Sequence, residues 1–308
     1  MLFLIDSSIY IFRAWQTLPV SVRNRFGEAD NAVQGLAETL CRIIELHRPA
    51  YMVCAFDECF RQGVRNQRYA AYKADRPPAP EDLAPQFARC KQLATAMGIP
   101  CFGSDQVEAD DIIGQFAELA NADGTPVTIV SGDKDLAQFV RFNDRYWDLG
   151  RRPIASYQEV HKRFKIKPEQ IADWLALCGD RSDNIPGVPG VGPATAARLL
   201  TKWHTLDNLL ANLGDVAMMG FRGAPRVSRL LYEHKEGIHF ARSLTGLIKD
   251  DRLPQDLQAM VRTPPDKEAM QQAIYELGLP DALCEKIARR ASLGAAIEPG
   301  ESSSVPMP

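Results

Sequence analysis

A chain of 308 residues with 45% hydrophobic and 24% charged residues has the make-up of a globular protein able to bury one large core or two smaller ones. No apolar stretch nears the length of a membrane span, and Asp6 with no basic n-region before it excludes a secretory leader. The formal charge of −3 does not announce a polyanionic partner, and seven cysteines without CxxC spacing argue for reduced thiols in a cytoplasmic protein and against a structural zinc site.

Leu2-Phe3-Leu4-Ile5 reads as a buried strand ending at Asp6, followed by a helix through Arg13 and a loop from Pro19 to Gly27. A periodic helix over 31–47 leads to a second strand, 51–56, which ends at Asp57. From Glu58 to Arg76 five basic residues stand against two acidic ones, and the segment closes in Arg76-Pro77-Pro78-Ala79-Pro80, which cannot be continuous helix. A helix near 86–97, a short strand at 100–102, a helix over 109–121, a strand at 127–131 and a helix through Asp135 to Val140 complete an α/β pattern with a parallel sheet. Beyond residue 150 the pattern is helical to about Arg290, broken by a Gly- and Pro-rich loop from Pro186 to Pro193. Seven basic residues against four acidic ones mark the stretch from Arg222 to Arg252, so the modest net charge masks basic surfaces. The expected organisation is a core over 1–184, a helical region over 185–293 and a disordered tail over 294–308.

Ligands collect outside the carboxyl ends of parallel strands, where Asp6, Asp57 and Asp133 would stand together. Glu108, Asp110 and Asp111 open a helix, Asp135 follows Asp133, and Asp180 and Asp183 sit in a Gly-flanked turn. Each taken alone also reads as a helix cap, a first-turn acid favoured by the helix dipole, or a turn residue. Nine carboxylates at element ends in one crevice repel one another unless cations neutralise them. An all-oxygen set without convergent His or Cys selects Mg²⁺ or Mn²⁺. The count suits two ions about 4 Å apart, the arrangement of phosphodiester-cutting sites.

Gly187-Val188-Pro189-Gly190-Val191-Gly192 precedes Pro193-Ala194-Thr195, giving a tight turn of exposed amides at a helix start. The spacing is that of a helix-hairpin-helix, which grips a duplex backbone without reading bases. A nucleotide P-loop is disfavoured because no Lys-Ser/Thr follows the last glycine, and a purely structural turn remains an alternative.

Together these motifs resemble the 5′ nucleases, the family of the 5′→3′ exonuclease domain of bacterial DNA polymerase I and of flap endonucleases. The resemblance runs from about Leu2 to Leu283 and rests on Ile5-Asp6, Phe56-Asp57, Glu108-Ala109-Asp110-Asp111, Ser131-Gly132-Asp133-Lys134-Asp135, Gly179-Asp180-Arg181-Ser182-Asp183-Asn184 and the hairpin. It implies a PIN-like parallel sheet flanked by helices, a helical arch over about 58–90 and a C-terminal helical region containing the hairpin. It also implies a metal-dependent 5′→3′ exonuclease and flap endonuclease of primer removal and repair. Asp57, Glu108 and Asp110 would bind the first metal directly, with Asp6 and Asp111 partly through water; Asp133, Asp135, Asp180 and Asp183 would form the second set. Tyr72-Lys73-Ala74-Asp75-Arg76 is similar to the motif at the base of the arch, where Lys73 and Arg76 would hold the scissile phosphate, Arg65 a neighbouring one, and Arg68 and Tyr72 the DNA. Arg13 matches an arginine near the site, and Gly187, Gly190, Gly192 and Thr195 would contact the duplex, with K⁺ at the hairpin. The implied partner is branched or nicked DNA with a 5′ single strand, or an RNA–DNA primer, met by a monomer; a polymerase partner is left open.

The pattern departs from the family at Ser7, where Asp-Gly is usual, and no polymerase follows residue 308, which suggests a stand-alone nuclease or an excised domain. Rival readings are a non-catalytic helix-hairpin-helix DNA-binding protein, a small RNase of the PIN type, which would be much shorter, and an aspartyl phosphatase, which Ser8 disfavours because an Asp is expected there.

Overall fold

The computed structural model describes residues 1–295; the expected tail over 294–308 lies, from residue 296, outside the described residues. Six strands form one sheet: β1 (Leu2–Asp6), β2 (Tyr51–Asp57), β3 (Cys101–Ser104), β4 (Val127–Val130), β5 (Arg145–Trp147) and β6 (Ala155–Ser156), in the order β3-β2-β1-β4-β5-β6. The first five are parallel, β1 to β4 as the apolar runs predict and β5 as a further strand the sequence reading did not expect, and β6 pairs antiparallel with β5 at the edge. Sequence reading misses β6 because two residues carry no periodicity.

Alternation along β1 shows why the sheet is buried on both faces. Leu2 and Leu4 enter one core with Val53 and Ala55 of β2, and Phe3 and Ile5 enter the other with Met52, Cys54 and Phe56. Helix α5 (Ala109–Ala122) covers the first face through Ile112, Ile113 and Phe116. Helices α1 (Ser7–Thr17), α2 (Asn31–His47) and α4 (Ala84–Ala96) cover the second. The turn after β4 is a 3₁₀ helix over Lys134–Phe139 where an α-helix is expected: Asp133 caps it by accepting from the Asp135 N–H at 2.9 Å, and tight i→i+3 bonds follow.

Among the described residues the segment 58–83 holds turns and one five-residue helix, α3 (Val64–Arg68), so the expected arch takes the form of a short, mostly irregular excursion between β2 and α4. Helices α6 (Tyr157–Phe164), α7 (Ile171–Cys178), α8 (Pro193–Trp203), α9 (Leu206–Ala211), α10 (Leu213–Ala217), α11 (Ala224–Glu233) and α12 (Lys235–Thr245) extend the first core. The last two helices, α13 (Lys267–Leu277) and α14 (Asp281–Ala291), return to the second face and place Met270, Ile274, Leu283 and Ile287 against its core. Arg262, 1% exposed, holds this return by donating to the carbonyls of Pro49 and Ala291 at 3.1 and 2.9 Å and to that of Leu293.

Candidate active site

Three strand ends build the floor of the crevice. Asp6 closes β1, caps α1 by accepting from the Ile9 N–H at 3.2 Å, and accepts from the Ser131 hydroxyl at 2.7 Å. Asp57 closes β2, accepts from the Ala109 N–H at 2.7 Å, and has its own N–H on Ser8 Oγ at 2.9 Å. Asp133 follows β4, its N–H held by Ser131 Oγ at 2.9 Å. Ser131 therefore ties Asp6 to the Asp133 backbone, and Ser8 ties α1 to β2. Both are positioning residues that sequence reading missed. Their signal was weak, a hydroxyl two residues after Asp6 or two before Asp133.

The carboxylates fall into two groups by what balances them. Burial pushes the Asp6 pKa up to about 7, and repulsion from Asp57 and Asp133 adds to it. Burial likewise raises Asp110, followed by repulsion from Asp133, Asp6 and Asp57. Asp57, accessible at the surface yet ringed by protein atoms, is raised by desolvation and then by Glu108. Asp135 is pushed up to about 7 by burial and by Asp133, and its buried Oδ1 has no hydrogen-bond partner among the described residues, although Lys134 Nζ lies 3.1 Å away.

The second group is neutralised by the chain's own cations. Lys73 Nζ donates to Glu108 Oε1 at 2.6 Å and stands 3.7 Å from Asp183. Tyr72 donates its hydroxyl to Glu108 at 2.7 Å and lies 3.1 Å from Asp183, and Arg76 pairs with Asp183 at 2.5 Å. Burial works to raise Glu108, but Lys73 and Arg65 outweigh it and hold the carboxyl below its ordinary value. Lys134 reaches Asp180 at 2.8 Å and, with Ser182, overcomes burial to bring Asp180 down to about 2.

These pairs have a consequence for the expected metals. Among the described residues no group of three or more His, Cys, Asp or Glu side chains stands ready to hold an ion. Lysine and arginine occupy Glu108, Asp180 and Asp183 from within. The donor chemistry nevertheless fits a hard divalent cation: the oxygens are carboxylate, and burial followed by mutual repulsion raises the Asp6 and Asp110 carboxyls above their ordinary value.

Two expected contacts are placed differently. Arg65, expected on a phosphate, is 7% exposed: it forks onto both oxygens of Asp111, one at 2.8 Å, and donates to the carbonyls of Leu244 at 2.7 Å and Gly246 at 2.9 Å. Its donors are spent inside the protein, so it locks α3 to the end of α12. Asp111, expected partly at a metal through water, is 1% exposed and also accepts from the N–H groups of Ile248 at 2.9 Å and Glu108 at 3.3 Å. Its oxygens face this lock. Arg13 donates to Asp148 at 2.7 Å and to the Leu149 carbonyl at 2.9 Å, and a Cβ on Gly132 would meet its guanidinium at 2.3 Å. It lies behind the turn that carries Asp133. Arg68 is exposed and touches the Ser243 carbonyl at 3.2 Å.

At the hairpin, Gly190 has φ +84° and is exposed, as a turn glycine with accessible backbone should be. Gly192 caps α8 with open space at its Cβ position, and Thr195 is half-buried on the first turn. Gly187 differs: a Cβ there would sit 2.3 Å from the backbone of Cys178 and Gly179, so two chain segments approach closely at this position.

A model of the 5′-3′ exonuclease N-terminal resolvase-like domain matches residues 1–170, and one of the 5′-3′ exonuclease C-terminal SAM fold matches 166–268. The 5′-3′ exonuclease of Aquifex aeolicus is 33% identical over 293 residues, covering 94% of this chain and 97% of that protein. DNA polymerase I of Rhizobium leguminosarum is 35% identical and that of Bacillus caldotenax 32%, over 85% and 90% of this chain. The chain spans only 26% and 31% of those polymerases. Among solved structures, T5 5′-exonuclease with bound zinc aligns with TM-score 0.63 at 17% identity over 94% of this chain and 99% of its own. The catalytic core of Rad2 in complex with DNA substrate aligns with TM-score 0.59 at 14% identity over 94% and 92%. No helix among the described residues is long and apolar enough to cross a membrane. By the two family models and the Aquifex relative, the chain belongs to the 5′-3′ exonuclease family and is a nuclease.

Proposed function

We propose that the protein is a structure-specific 5′ nuclease that hydrolyses phosphodiester bonds near the 5′ end of nicked or flapped duplex DNA, using two Mg²⁺ or Mn²⁺ ions, in primer removal and repair. The observation that carries this reading is the crowding of Asp6, Asp57, Asp110 and Asp133, whose shared repulsion a divalent cation would relieve. Asp6, Asp57, Glu108 and Asp110 would hold one ion, and Asp133, Asp135, Asp180 and Asp183 the other; Asp111 serves them by fixing Glu108. Bound there, the ions would supply a hydroxide from coordinated water and offset charge on the phosphate.

The chain's own cations do the rest. Lys73 and Arg76 sit on Glu108 and Asp183; with those carboxylates committed to metal, both cations would be free to hold the scissile phosphate, where they would offset the charge that grows in the transition state. Arg13 holds the Asp133 turn. Gly190 and Gly192 would present backbone N–H groups to duplex phosphates, with K⁺ held at the hairpin by backbone oxygens, so that the junction and not the sequence sets the cut. The domain division follows: residues 1–184 cleave, with Lys73 and Arg76 on the excursion over 58–90, and the hairpin region over 185–293 grips duplex. A polymerase acting on the same nick is the natural partner.

Cleavage of a 5′-flap duplex with Mg²⁺ and with EDTA tests the proposal. Cleavage that needs the metal and releases a product of fixed length supports it. Flap binding without cleavage under any divalent metal favours the non-catalytic DNA-binding reading.

A further inference from the structure

Beside the crevice, at the carboxyl ends of β2 and β3, opens a cavity of about 600 Å³ that shares Asp57 with the candidate active site. Three aromatic rings line it among charged and small residues: Phe56, Phe87 from α4, which meets Phe12 edge-on at 5.7 Å, and the exposed Phe60. Phe60 is 75% exposed, and it and Arg61 both adopt left-handed backbone, with φ of 40° and 63°. Two successive non-glycine residues in that region are strained, and strain of this kind persists where a side chain is held in place for use. Apart from Asp57, every charged side chain of the wall is in an ion pair. Lys91 takes Glu58 at 2.5 Å, and Arg252 takes Asp105 and Asp250 at 2.7 Å each. The cavity thus offers no free cation to a phosphate, but it offers flat apolar faces with neutralised polar edges, which suit a nucleobase.

We infer that this cavity receives the first unpaired base of the displaced 5′ strand, stacked on Phe60, with its phosphate left at the crevice. The inference rests on the nuclease reading above. The cavity lies at the foot of the 58–83 excursion, since Phe60 leaves it on one side and Ala84 returns on the other. A base bound there would extend the strand held at Asp57. Stacking tolerates any base, in keeping with a nuclease that measures structure.

The test places 2-aminopurine as the first unpaired nucleotide of a 5′ flap and follows its fluorescence on binding to full-length Asp133→Asn protein with Mg²⁺. Quenching that Phe60→Ala abolishes and Phe60→Trp keeps supports the subsite. In cleavage, Phe60→Ala should lower the ratio of flap to nick kcat/KM about tenfold, the scale of one base stacked on an aromatic ring. Phe60 is exposed, so the variant is expected to fold. No quenching on binding, or an equal effect of Phe60→Ala on flap and nick, overturns the subsite while leaving the nuclease reading standing. Absence of cleavage of both substrates by the unaltered protein overturns the nuclease reading itself.

Discussion

Two groups of carboxylates share one crevice and differ in what balances them. Asp6, Asp57 and Asp110 are raised by burial first and then by neighbouring carboxylates: Asp57 and Asp133 act on Asp6, Glu108 on Asp57, and Asp133, Asp6 and Asp57 on Asp110. Glu108, Asp111, Asp180 and Asp183 each face a cation of the chain: Lys73, Arg65, Lys134 and Arg76 in turn. In the first group burial and repulsion outweigh the one nearby lysine, Lys73, and leave Asp57 and Asp110 raised. The second is satisfied in advance, and a metal must displace a lysine or arginine to reach it. The same residue type therefore serves both as an open metal site and as a latch, according to its neighbours.

The largest expected effect is on chemistry. Asp57→Ala or Asp133→Ala should cut cleavage at least about a hundredfold, in line with removal of a group that fixes a metal or offsets developing charge, while flap binding survives. Because each also removes a source of repulsion, metal-free Asp133→Ala should unfold at higher denaturant than the parent. A lower midpoint would break the comparison.

Arg65→Met comes next. It strands Asp111 in the interior, and breaking a buried pair in this way costs about 3–5 kcal/mol, to be read from urea unfolding. A change below about 1 kcal/mol would mean that Arg65 is a mobile phosphate contact after all.

The pH response separates the groups further. Asp6 and Asp135, with folded pKa near 7 against an ordinary 3.8, bind more protons folded than unfolded between those values. Stability of chelator-treated protein should therefore fall as pH rises from about 4 to about 7, and Mg²⁺ should restore it. Asp180, held near 2, contributes with the opposite sign, and its stability is lost as pH drops from about 4 towards 2. Chemical denaturation across this range, with and without Mg²⁺, checks both.

The smallest effect is at Lys134, whose side chain is 40% exposed. Lys134→Ala should cost no more than about 1 kcal/mol in metal-free protein, since solvent screens the pair. Saturating Mn²⁺ should erase the difference, because the metal takes over the same carboxylates.

Strand ends made most of this site legible. Apolar runs stopping at Asp6 and Asp57, and the run into Asp133, marked the crevice, because a parallel sheet gathers its carboxyl ends whatever the loops do. The internal cations were harder to read. Arg65 meets Asp111 across 46 positions and the Leu244 carbonyl across 179, and Arg13 meets Asp148 across 135. Contacts at such separations carry no local periodicity, so a basic residue bound for the interior looks like one bound for a phosphate. Gly187 shows the same limit: a glycine that lets two backbones touch and one that bares an amide to DNA share the same letter. The short excursion over 58–83 and the edge strand β6 escaped because packing, not propensity, sets them.

Isothermal titration calorimetry of the chelator-treated protein with Mn²⁺, with and without a 5′-flap duplex, tests the metal claim most directly. Two ions should bind per chain, with proton release near pH 6 as the crowded carboxyls ionise. No uptake in either condition would contradict the account.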